Sequence, residues 1–130
     1  MSDHTLGKVV RIDPATNNVT GTIKLPGADW ISGLGENIYV SQETNVVSRV
    51  SVRTLKVTAV AKVARNPLGS AIVGKQLWVP CIDANQIVIV DPSTMKVLGH
   101  KPAAGGPIAV LSAFGHTWIS QSTGTKLLRL

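Results

Sequence analysis

Apolar positions along the chain come in short runs of Val, Ile, Leu and aromatic residues, broken at close intervals by Gly, Pro, Asn or Asp. Runs of that length between turn residues predict β-strands joined by tight turns, and no helix-length segment interrupts them. One pass reads as strands at Leu68 to Val73, Gln76 to Cys81, Gln86 to Asp91 and Lys96 to Lys101. Turn chemistry falls between them at Gly74-Lys75, at Asp83-Ala84-Asn85 and at Pro92-Ser93-Thr94.

The pattern repeats. Val9-Val10-Arg11-Ile12-Asp13-Pro14 is echoed by Val47-Ser48-Arg49-Val50-Ser51-Val52, by Ile87-Val88-Ile89-Val90-Asp91-Pro92 and by Leu127-Leu128-Arg129-Leu130. From Ile12 the steps are 38, 40 and 40 residues. A second marker, Ile38-Tyr39-Val40, Leu77-Trp78-Val79 and Thr117-Trp118-Ile119, recurs with the same period. Four short strands in about 40 residues form the unit of a propeller blade. The expected fold is therefore all-β, a partial β-propeller of about three four-stranded antiparallel blades. With strand A innermost and D outermost, residues 7–27 supply strands C and D of a first blade, 28–66 and 67–106 are complete blades, and 107–130 start a fourth.

The phrase Arg11-Ile12-Asp13-Pro14-Ala15-Thr16-Asn17-Asn18-Val19, followed by Thr22-Ile23-Lys24-Leu25-Pro26 and a Gly-x-x-Ile-Tyr-Val strand, resembles the YVTN-type β-propeller repeat. In repeat pattern it is also similar to the streptogramin (virginiamycin B) lyase propellers. The resemblance spans nearly the whole chain and thins in the middle repeat, where Ser51-Val52-Arg53 stands in place of Asp-Pro. It implies a fold more than an activity, because the repeated residues are structural. Proteins of this repeat type are often exported, which implies a periplasmic or extracellular parent, although Met1 to Gly7 lacks the charged and apolar regions of a signal peptide.

About three and a quarter repeats fall short of the four to eight blades of a closed ring, leaving sheet faces and edges uncovered. Read as a fragment or partial gene product, the chain either belongs with the missing blades of a longer one or self-associates. In the second case the final A and B strands of one copy meet the opening C and D strands of another. A dimer would make six blades, which favours it over a nine-bladed trimer.

Composition changes this picture little. The 130 residues are 44% hydrophobic and 15% charged, a globular balance, and no apolar run reaches the roughly 20 residues of a membrane span. The net charge of +6 invites a nucleic-acid reading, but the thirteen basic residues are scattered with no two adjacent, so neither nucleic acid nor membrane is an expected partner. They read as a solvated surface. The single cysteine, Cys81, excludes an internal disulfide and sits at a strand end, where it reads as a buried structural thiol.

Asp13 and Asp91, each before a proline at a strand end, read as turn formers. Tyr39, Trp78 and Trp118 share one strand position and read as packing between neighbouring sheets. Trp30 stands where the next repeat has Gly69, and is expected to fill a cavity near the axis. The propeller resemblance implies that a ligand meets the face where D-to-A and B-to-C connections converge. Those connections offer Asp29, Gln42, Glu43, Asn66, Asp83 and Gln121 as hydrogen-bonding candidates. The histidines do not converge with them: His4 lies in the leader, His100 on an outer strand and His116 in an opposite turn. The strand ends Ser41-Gln42, Pro80-Cys81 and Ser120-Gln121 have no match to the lyases' histidine and glutamate constellation. No catalytic residue, metal site or cofactor is therefore expected. The reading is a non-catalytic binding or interaction scaffold for an unidentified protein or small molecule; the alternative is part of a lyase- or lactonase-like propeller enzyme.

Overall fold

The computed structural model describes residues 1–123 and 127–130. The described chain forms fourteen strands in four antiparallel sheets, each built from consecutive strands. Sheet I contains β1 (Ser2–Asp3), β2 (Lys8–Ile12) and β3 (Val19–Lys24). Sheet II contains β4 (Ala28–Leu34), β5 (Asn37–Gln42), β6 (Val46–Ser51) and β7 (Val57–Lys62). Sheet III contains β8 (Ala71–Val73), β9 (Gln76–Cys81), β10 (Gln86–Val90) and β11 (Val97–Pro102). Sheet IV contains β12 (Pro107–Ala113), β13 (His116–Gln121) and β14 (Leu128–Arg129). A short 3₁₀ turn, Ile82–Ala84, links β9 to β10.

Local chemistry explains the recurring geometry. The Asp13 carboxylate accepts the Ala15 N–H at 2.9 Å and the Thr16 hydroxyl at 3.0 Å, and Asp91 accepts the Ser93 N–H at 2.8 Å and its hydroxyl at 2.7 Å. Both are turn formers, as their setting before proline predicts. In the middle repeat Ser51 takes over with one longer bond, 3.4 Å from the Thr54 N–H. A bulge then falls at the same place in each long hairpin, between Arg11 and Ile12, Arg49 and Val50, and Ile89 and Val90.

The core lies between sheets, in three slabs. Val9 and Leu25 pack on Ala28, Val40 and Val50 where sheets I and II meet. Tyr39 and Val47 pack with Leu77, Val79 and Val90 between II and III, and Trp78 and Ile87 with Val110 and Ile119 between III and IV. Each fully buried aliphatic side chain contributes about 1.5–3 kcal/mol. Two arginines that the sequence assigned to a solvated surface also join sheets. Arg11 donates to the Val52 carbonyl at 2.8 Å, and Arg49 donates to the carbonyls of Pro92, at 3.2 Å, and Ser93. Their scattered spacing hides a repeated role: each guanidinium reaches the C-to-D turn of the following sheet.

The innermost strands also touch. Gly69 and Val110 exchange backbone bonds with their neighbours, Gly69 N–H to the Ile108 carbonyl at 2.8 Å and Val110 N–H to the Gly69 carbonyl at 2.9 Å. A side chain at Gly69 would meet the Ala109 Cβ at 2.7 Å, so only glycine fits there. Trp30, at the matching place in sheet II, is 46% exposed and does not fill an axial cavity. Among the described residues no backbone bond joins Trp30 to sheet I, and its indole is half exposed.

Among the described residues no core cluster joins sheet I to sheet IV. The sheets make an open arc, a partial β-propeller. Its last face is apolar and uncovered, with Leu111 60% and Phe114 92% exposed.

Candidate functional site

Backbone bonds gather the D-to-A and B-to-C connections on one face. Glu43 N–H donates to the Gly27 carbonyl at 3.0 Å, Ile82 N–H to the Asn66 carbonyl at 3.1 Å and Ser122 N–H to the Gly106 carbonyl at 2.8 Å. Asparagine side chains reinforce the junctions. Asn45 and Asn85 sit in the left-handed region, with φ of 63° and 50°, a conformation that asparagine tolerates better than most residues. The Asn45 Oδ1 accepts the Asn66 N–H at 3.1 Å, and the Asn85 Oδ1 accepts the Gly106 N–H at 2.9 Å. Each ties a turn of one sheet to the chain entering the next.

At the junction of sheets II and III these connections border an open polar cleft of 270 Å³ lined by Glu43, Asn45, Arg65, Asn66 and Asp83. The Arg65 guanidinium leans across it toward the Asp83 carbonyl, 3.5 Å away. One cation, two carboxylates and two carboxamides therefore face a common space. Such a set can hold a small ligand that carries both an amine and a carboxylate or amide, through charge-assisted hydrogen bonds.

Of the six residues named from the sequence, Glu43, Asn66 and Asp83 share this cleft. Gln42 is buried and occupied: its Nε2 donates to the Pro26 carbonyl at 2.9 Å and its Oε1 accepts from Ser48. Gln121, at the equivalent place in sheet IV, donates to the Ala104 carbonyl. Cys81 takes that position in sheet III, fully buried, and burial pushes its thiol up to about 11. Asp29 stands apart from the cleft, with its carbonyl accepting the Ser2 hydroxyl at 2.5 Å.

His4 is not a detached leader residue. Pairing of Ser2 with Val9 and Asp3 with Lys8 carries it onto the same face, where its Nε2 lies 2.8 Å from the Glu43 carboxylate, both side chains half exposed. The hydrogen bond to Glu43, then its charge, and the nearby Asp29 and Asp3 raise the imidazole above its ordinary value. The signal was present in the sequence: extending the repeat one strand back aligns Ser2-Asp3-His4 with Ser41-Gln42-Glu43. Arg65 and Asn45 were not singled out from the sequence, because a lone arginine or asparagine in a turn carries no pattern of its own. Among the described residues, no three His, Cys, Asp or Glu side chains group as a metal site would require.

No protein-family model matches the sequence, and no curated protein matches it significantly. Solved structures do. The chain is similar to hydrazine synthase of Kuenenia stuttgartiensis, with 24% identity and a TM-score of 0.69 over 77% of this chain and 30% of that one. It is similar to AztD of Citrobacter koseri, with 15% identity and a TM-score of 0.70 over 79% of this chain and 31% of that one. It is also similar to the dihydro-heme d1 dehydrogenase NirN in complex with DHE, with 16% identity and a TM-score of 0.76 over 98% of this chain and 30% of that one. These are β-propeller proteins, and likeness at such identities carries the fold alone. The chain spans about a third of their length.

Proposed function

We propose that the chain is a non-catalytic propeller module of the YVTN-repeat type, whose loop face binds a small zwitterionic ligand or a peptide terminus in the cleft between sheets II and III. One observation carries this reading: Glu43, Asn66 and Asp83, which come from three separate connections, meet Arg65 and Asn45 around a single 270 Å³ space. The rest of the face supports it by rigidity, since Asn45 and Asn85 lock the loops to the blades. Rigid scaffolds that present polar loops are the usual setting of binding sites.

The test is an NMR titration of ¹⁵N-labelled protein with glycylglycine. The amide signals of Glu43, Arg65, Asn66 and Asp83 are expected to move together, and Arg65→Ala is expected to weaken binding at least tenfold. Silence at these positions up to millimolar dipeptide would overturn the reading.

A lyase- or lactonase-like enzyme completed by further blades is the second reading, and the His4–Glu43 pair favours it as an acid–base couple on the ligand face. Turnover of a lactone or cyclic depsipeptide that Glu43→Gln or Asp29→Asn abolishes would decide for it. A melting temperature that does not respond to magnesium, calcium or zinc would weaken it.

A further inference from the structure

We propose that a second copy of this chain closes the arc: β12 and β13 of one copy take the two inner places of sheet I in the other, and Trp118 fills a cavity between that copy's sheets I and II. The inference does not rest on the ligand cleft, although displacing β1 releases Glu43 from His4.

The two ends of the chain are complementary by repeat position. Between sheets II and III, Tyr39 is buried with Val47, Leu77 and Met95, and its hydroxyl donates to the Pro92 carbonyl at 3.2 Å. Between III and IV, Trp78 holds the same strand position. Between I and II the corresponding socket exists. Val9 matches Val47, Ile38 matches Leu77, Leu55 matches Met95 and Val52 matches Pro92. These four residues line a cavity of 300 Å³. No aromatic is among the residues that line it, and Met1, which exchanges backbone bonds with Val10, borders the space.

Sheet IV carries the plug. Trp118 occupies the aromatic position and pairs with Arg129, as Tyr39 pairs with Arg49. It borders an open apolar hollow of 440 Å³ beside Leu111, Phe114 and Leu127. Sheet IV has full-length inner strands and sheet I has full-length outer ones, so together they make one four-stranded blade. Only β1 and β14 must give way, each held by a ladder of three residue pairs with Met1–Val10 and Thr117–Leu130 included, whereas β5 and β6 pair over six; β1 also gives up the Ser2 bond to the Asp29 carbonyl and the His4–Glu43 pair. Two such junctions join two whole sheets and one shared blade per copy into a six-bladed ring, within the usual range. A head-to-tail contact of this kind closes when the rotation fits and leaves no exposed sheet edge inside the ring.

The experiment measures mass in solution by sedimentation equilibrium at micromolar concentration. The 130-residue chain is expected at twice its 13.7 kDa. Trp118→Arg and Leu55→Arg are each expected to halve that mass while keeping a β-type circular dichroism spectrum, and Trp118→Phe, which retains an aromatic plug, is expected to keep it doubled. Mixing the two arginine variants pairs an intact tryptophan with an intact socket at one junction, so the doubled mass returns, which misfolded variants would not give. Single-chain mass for the unmodified chain, a mass of three or more chains, or a dimer unaffected by Trp118→Arg would overturn the proposal.

Discussion

The imidazole of His4 and the carboxylate of Glu43 lock the first strand to the loop face of sheet II, and the lock depends on charge. Because the His4 value in the folded chain lies above 6.5, its contribution to stability is fully present below about pH 6.5 and is lost as pH rises through the folded value. A histidine ¹H NMR titration is expected to show Glu43→Gln bringing His4 back toward 6.5; an unchanged titration would contradict the pair. Asp91 behaves in the opposite sense. Hydrogen bonds from Ser93, helped by Thr94, hold its carboxyl down to about 2, so its contribution is present above 3.8 and fades as pH falls through the folded value. The Cys81 thiol, pushed up by burial, is expected to react with a disulfide reagent at neutral pH only on unfolding. At this scale the sequence showed turn formers well, since Asp before Pro has one dominant local chemistry. It did not show His4 beside Glu43 or Arg65 across from Asp83, because a single charged residue signals nothing until strand register brings its partner near. Trp30 was misread for a related reason: repeat alignment gives a residue's place in a strand but not the room around it.

Strand and turn were legible because two markers with one period leave little freedom in the assignment. Ser2–Asp3 escaped notice because two polar residues carry no alternation, and their pairing with β2 becomes visible only from the fold. The slabs between sheets carry most of the stability. Leu77→Ala, which empties the fully buried centre of the slab between sheets II and III, is expected to cost about 2–5 kcal/mol in urea unfolding. Arg49→Ala removes the bonds to the Pro92 and Ser93 carbonyls in sheet III and is expected to cost about 1 kcal/mol by the same measurement. A negligible effect of both would mean that the sheets do not lean on one another as described.

For the whole molecule, stacked repeats make stability a sum over neighbouring sheets, and the two uncovered ends are its weak points. If a second copy covers them, the melting temperature rises with protein concentration, because mass action favours the assembled state. One 40-residue pattern builds successive antiparallel sheets standing face to face, and cross-strand nuclear Overhauser contacts read that arrangement out pair by pair. Contacts are expected for Ile38 against Val50, Leu77 against Val90 and Val110 against Ile119, with side-chain contacts from Tyr39 to Leu77 and from Trp78 to Val110. Helical sequential contacts, or backbone pairing of β3 with β4 in one continuous barrel, would contradict it.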